Sequence, residues 1–264
     1  MKSIKKSKRL KIKEHKSRKT KMDELKKIEF WENHYLNEIE FMLKQDINKM
    51  LDGLKSKDKI KDDWIEAFNK AGKTRQNSDF ARGAERIYYW LFNQFGTPNS
   101  APIGADMFFE TYNAFVHIDI KTAKIDNPSD YKGKIPLGAN QTSYKLPSSN
   151  FEVNLPTKYK LDDKSEKICL TYFLNIIYDY NLELENIEIK AIILICAPNG
   201  LLRDVYKNNI ISAGKTGHKG KGFRYEYKNC PYFKLLEDKP KRYRLIYVDT
   251  KNQEKILKKL GLNE

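Results

Sequence analysis

Two runs of this chain, KICLTYFLNIIYDY (167–180) and IEIKAIILICA (187–197), are apolar almost without interruption and rich in β-branched residues. Neither shows the polar stripe of an amphipathic helix, and neither alternates like a half-solvated strand. A strand apolar at both parities has to be covered on both faces. The two runs therefore predict an α/β fold: buried strands at the centre, flanked by helices. At 264 residues the chain is long enough to bury such a core.

The flanking segments fit that frame. Leu25, Ile28, Trp31, Tyr35, Ile39, Met42 and Leu43 recur at spacings of three and four, which predicts one face of a helix over 23–54. That face either packs into the core or forms a seam with a second copy. A polar connector follows at 55–63, then a second helix over 78–96, with Ser78 or Asp79 as N-cap and Gly96 beyond its end. After TPNSAP the period changes. IGADMFFE and FVHIDIKTA read as two strands joined by the turn TYNA, YRLIYVDT as a later strand and NQEKILKKLGL as a closing helix.

Charge is uneven. Residues 1–21 hold nine Lys, two Arg and one Glu, so ten of the fifteen net positive charges sit there. We read 1–22 as a mobile basic arm and 23–264 as one domain with its core over about 78–250. Such an arm binds polyanions without regard to sequence, or is simply solvated. Cys169, Cys196 and Cys230 show no metal-ligand or disulfide spacing, and Cys196 reads as a small core residue. No apolar run reaches the ~18 residues of a membrane span, and the N-terminus lacks a signal-peptide core. A soluble, cytoplasmic protein is the expectation.

The chemistry is concentrated in FVHIDIKTAK (115–124). Asp119 and Lys121 are two apart on a strand and so project from the same face. Acid-x-Lys triplets occur nine times in the chain, so the spacing alone proves nothing. Context distinguishes this one. Asp119 lies in an apolar strand, where a lone carboxylate is costly, and the preceding strand can bring Asp106 beside it. Two carboxylates and a lysine can hold Mg²⁺ and orient water against a phosphodiester. The plainer reading is a buried ion pair between hairpin strands. His117 shares the face of Asp119 and Lys121. The GKT tripeptides at 72–74 and 214–216 lack the earlier glycine of a phosphate loop, which excludes that motif.

Asp106…Asp119-Ile120-Lys121 resembles the PD-(D/E)XK nuclease signature, and HIDIKTAKIDN…LGANQTSY is similar to type II restriction endonucleases of the EcoRV and HincII kind. Ala105 stands where the family carries proline. The resemblance implies a central mixed β-sheet, Mg²⁺ held by Asp106 and Asp119, and Lys121 acting on water, with Glu85 as a further helix-borne acid. It also implies a homodimer straddling a palindrome, a central cut leaving blunt ends, and a cognate DNA methyltransferase. Thr142-Ser143 occupies the place of a turn that approaches DNA, with Asn140 and Gln141 before it. IISAGKTGHKGKGFRYEY (210–227) resembles a glycine-rich recognition loop, whose Lys215, Thr216, His218, Lys219, Lys221 and Arg224 would face bases or phosphates. On their own chemistry, Asn140 and Gln141 either pair with adenine or satisfy a turn. The function expected is Mg²⁺-dependent, site-specific cleavage of double-stranded DNA. The alternatives are a structure-directed repair or junction nuclease with the same core, and a basic DNA-binding protein without activity.

Overall fold

The computed structural model describes residues 2–45, 47–55, 84, 92, 106–144, 153–160, 162–181, 186–207, 209–217 and 220–262. At 2–18, 55, 181, 186, 215–217 and 220–222 it describes the backbone alone. The helices are α1 (Lys2–Gln45), α2 (Ile47–Lys55), α3 (Arg203–Tyr206) and α4 (Gln253–Leu260). The strands are β1 (Met107–Glu110), β2 (Ala114–Lys124), β3 (Ile135–Leu137), β4 (Lys158–Lys160), β5 (Glu166–Asn181), β6 (Asn186–Ala197), β7 (Ile211–Gly217), β8 (Gly220–Tyr225) and β9 (Tyr243–Val248).

The two apolar runs form β5 and β6, the middle of a sheet ordered β1-β2-β5-β6-β9, with β4 paired to the start of β5. β2 and β5 run parallel from Ala114↔Ile168 to Lys124↔Tyr178, and the other pairs are antiparallel. The sheet is therefore mixed, as expected. A smaller antiparallel sheet, β3-β8-β7, stands apart from it.

Side-chain parity divides the core. Val116, Ile118 and Ile120 of β2 join Leu170, Tyr172 and Leu174 of β5 beneath Leu36, Ile39 and Leu43 of α1 and residues of α2. On the opposite face, Phe173 and Ile177 of β5 and Ile193 and Ile195 of β6 meet the small sheet and Ile256 and Leu260 of α4. Each such side chain contributes about 1.5–3 kcal/mol when fully buried. The apolar face of α1 thus packs on the chain's own core. Helix α1 also begins at Lys2, so the backbone of the basic segment is helical and continuous with the core-packing part. Of the predicted 78–96 helix, Ala84 and Phe92 are helical and buried, while the rest, like the 55–63 connector, lies outside the described residues. All three cysteines are free and buried. Among the described residues no helix is long and apolar enough to cross a membrane.

One feature that the apolar pattern of α1 did not signal is its pair of buried acids. Glu29 and Glu32 are fully buried against Arg242, which lies just before β9. The Arg242 guanidinium lies 2.6 Å from Glu32 Oε2 and 3.5 Å from Glu29 Oε1, and its Nε donates to the Tyr206 hydroxyl at 2.8 Å. It stacks on Phe233 and Tyr206. The backbone N–H groups of Asn199 and Leu235 donate to Glu32 and Glu29. Every member has a partner, as burial of charge requires.

One arginine faces two carboxyls, so the fully ionised cluster would bury a net negative charge. Burial accordingly pushes the Glu32 carboxyl up to about 7, against the opposing pull of Arg242. Between about 4.5 and 7 the unfolded chain has released this proton and the folded chain still holds it, so stability falls as pH rises across that window. Glu32→Gln, neutral at every pH, should abolish a loss of stability on the order of 3 kcal/mol across that window. Urea unfolding midpoints measured from pH 4.5 to 8 check this. An unchanged slope would refute it.

Candidate active site

The β1–β2 hairpin places the acids. Thr111 N donates to Ala114 O at 2.8 Å, closing the turn, and the Tyr35 hydroxyl of α1 reaches Thr111 and Asn113. The register runs Glu110↔Phe115 to Met107↔Ile118, so one step further Asp106 comes opposite Asp119. β1 ends there, and Asp106 Oδ2 accepts from Ile120 N at 2.6 Å. The side chain takes over a strand amide that the ladder no longer pairs. Asp106 is exposed and Asp119 fully buried, so the centre opens to solvent on one side.

Asp119 is held from two directions. Lys121 Nζ lies 2.5 Å from its Oδ2, and Gln141 Nε2 donates to its Oδ1 at 2.7 Å. Gln141 Oε1 accepts from Lys121 Nζ and from Gly138 N, each at 2.8 Å. Burial pushes the Asp119 carboxyl up to about 7; Lys121 opposes this and the neighbouring Asp106 adds to it. His117, two residues back on the same face, is fully buried, and neither ring nitrogen has a partner among the described residues. Burial, with a smaller effect of Lys121, lowers its pKa to about 3, so the ring is neutral. Opposite Lys121 on β5 stands Asn175, buried and reaching Asp130 O only at 3.5 Å.

The donor set suits a hard divalent ion. Mg²⁺ takes one or two carboxylates and keeps several waters, and it does not need an all-protein cage. Asp106 and Asp119 supply two carboxylates beside an open face. No group of three or more His, Cys, Asp and Glu side chains able to hold a metal occurs among the described residues. Another of the nine acid-x-Lys triplets, Glu188-Ile189-Lys190, is an ion pair near the start of β6, with Asp249, just past the end of β9, 3.7 Å from the ammonium.

The residues expected at DNA fare unevenly. Gln141 is built into the acid–lysine network. Thr142 and Ser143 are buried: the Thr142 hydroxyl accepts from Tyr144 N, and the Ser143 hydroxyl accepts from Gly200 N. That approach is close, since a Cβ on Gly200 would stand 2.1 Å from Ser143 O. Asn140 is half-buried in the same turn. The expected loop falls on an antiparallel strand pair, β7 with β8, in which Gly217 pairs with Gly220. His218 and Lys219 lie outside the described residues, as does Glu85, while the backbones of Lys215, Thr216 and Lys221 lie on β7 and β8. Arg224 does not face outward. Its Nε donates to Ser129 O and its Nη2 meets Asp130, each at 2.7 Å, so it braces the small sheet against the 128–130 turn.

Family models match both parts of this architecture. The N-terminal domain of the type II restriction enzyme MwoI matches residues 24–182, which include the acids, Lys121 and Gln141, and its central domain matches 189–248, which include β7 and β8. The chain belongs to the MwoI family of type II restriction enzymes. The two matched segments meet between β5 and β6, adjacent strands of one sheet. As a member of this family the chain is a type II restriction endonuclease, a nuclease that binds DNA. Two solved structures share its fold. Restriction endonuclease BglI bound to its DNA recognition sequence matches with a TM-score of 0.58 at 16% identity, over 92% of this chain and 97% of that one. Tetrameric restriction endonuclease SfiI bound to cognate DNA matches with a TM-score of 0.61 at 14% identity, over 86% of each. No curated protein sequence matches significantly.

Because Arg224 is spent inside the fold, Arg224→Ala should cost about 1–3 kcal/mol of stability by removing the charged partner of Asp130 and the bond to Ser129 O. The dependence of DNA affinity on salt, which counts phosphate contacts, should keep its slope. A slope reduced by about one would return Arg224 to the DNA interface.

Proposed function

We propose that this family member cuts double-stranded DNA at a short palindromic site in a Mg²⁺-dependent reaction, as a homodimer paired with a cognate methyltransferase. The carrying observation is that Asp106, Asp119 and Lys121 converge at the open end of the β1–β2 hairpin. A structural ion pair needs one acid. Here a second, solvent-facing acid adjoins the first and repels it, an arrangement that binding to a cation relieves.

Asp106 and Asp119 would hold the ion, which supplies a Lewis acid for the attacked phosphate. Lys121, its side chain 19% exposed, reaches from the buried acid toward the mouth of the site. There its ammonium offsets phosphate charge and orients the attacking water.

DNA would meet the segment of β7 and β8 whose sequence carries Lys215, Thr216, His218, Lys219 and Lys221, and the turn carrying Asn140. Residues 1–22 would act as a basic arm on the phosphates, beside a single endonuclease domain over 23–264.

A digest of unmethylated phage DNA with Mg²⁺ or with EDTA tests this directly. Discrete bands that need Mg²⁺ are expected, and mapping their ends tests the blunt cut that the EcoRV/HincII resemblance implies. Lys121→Ala should slow cleavage by roughly 10²–10⁴-fold while DNA binding persists. A smear would point to a structure-directed or non-specific nuclease. Intact DNA that shifts on a gel would leave a binding protein with a buried ion pair.

A further inference from the structure

We propose that Gln141 is a latch on the catalytic centre. It is a positioning residue that fixes Lys121 and occupies the Asp119 oxygen that an incoming divalent ion has to take. The inference rests on the metal-site reading above.

The orientation of its amide is dictated by its neighbours. Lys121 Nζ and Gly138 N only donate, and both lie 2.8 Å from Oε1. The ionised Asp119 carboxylate only accepts, and its Oδ1 lies 2.7 Å from Nε2. Flipping the amide would set donor against donor and acceptor against acceptor. The side chain folds tightly over its own turn: a Cβ on Gly138 would stand 3.2 Å from Oε1. The turn's backbone and side chain therefore aim one amide at both reacting groups.

Access makes it a latch. Asp119 is 0% exposed, with Gln141 donating to Oδ1 and the Lys121 ammonium in ion-pair contact with Oδ2, so both oxygens are covered. An ion reaches a carboxylate oxygen only if one of these partners moves. The ammonium–carboxylate contact is charge-assisted at both ends, whereas the amide is neutral, so the amide yields first. Oε1 can keep Lys121 and Gly138 N as Nε2 withdraws. The same turn leads into Thr142 and Ser143, so a shift of that segment on DNA would open the centre.

The test is Mn²⁺ binding to the full-length protein without DNA, followed by electron paramagnetic resonance, for wild type, Gln141→Met, Gln141→Ala and Asp119→Asn. Gln141→Met keeps the length of the side chain and removes its hydrogen bonds; Gln141→Ala covers the case in which the thioether disturbs folding. Both should bind Mn²⁺ about tenfold more tightly than wild type, while cleavage at saturating Mg²⁺ falls because Lys121 has lost its anchor. A glutamine that merely supports the fold would leave Mn²⁺ affinity unchanged or weaken it, and that result overturns the latch. Equal binding by wild type and Asp119→Asn would instead sink the metal-site reading, and the latch with it.

Discussion

The structure hangs on the parallel pairing of β2 with β5. Eleven residues of β2 lie in register along a strand that is itself covered on both faces, so β2 is fixed along its length. One hairpin turn then suffices to place β1, and with it Asp106, opposite Asp119. A parallel pair needs a long crossover between its strands. Here the crossover carries β3, the turn bearing Gln141, and β4. The same connection that makes the sheet mixed therefore delivers a third side chain to the centre.

Placing a carboxylate in such a strand is costly, and the way the cost is offset defines the site. Asp119 is compensated by an ammonium and an amide, and it adjoins the exposed Asp106. The second buried charge cluster, Arg242 with Glu29 and Glu32, is closed instead: every group is enclosed and hydrogen-bonded, with aromatic rings above the guanidinium. Both clusters push one carboxyl up to about 7, for the same reason of burial. The difference is access. The closed cluster fastens α1 to β9, and the open one can exchange a partner for a ligand.

The chain belongs to the MwoI family and shares the fold of BglI and SfiI. The matched N-terminal segment holds the hairpin chemistry and the matched central segment holds β7 and β8. The acids and Lys121 lie on the large sheet and its edge, whereas β7 and β8 belong to the small sheet packed on its other strands. The side chains of Asp106, Asp119, Lys121 and Gln141 all come from the N-terminal segment.

Much of this was legible in the sequence. Continuous β-branched apolar runs can only be strands covered on both faces, so 167–180 and 187–197 announced the sheet, and the three–four spacing from Leu25 to Leu43 announced the helix beneath it. A period of two put Asp119 and Lys121 on one face, and a short turn put Asp106 within reach. These are local rules that act over a few residues. Other outcomes depended on partners far along the chain. Glu29 and Glu32 read as ordinary polar helix positions until Arg242, some 210 residues away, met them in the core. Gln141 and Arg224 looked like residues for DNA, and folding turned one toward Asp119 and the other toward Asp130. Hydrogen bonds and charges are satisfied by whatever lies within about 3 Å, and only the tertiary structure decides what that is.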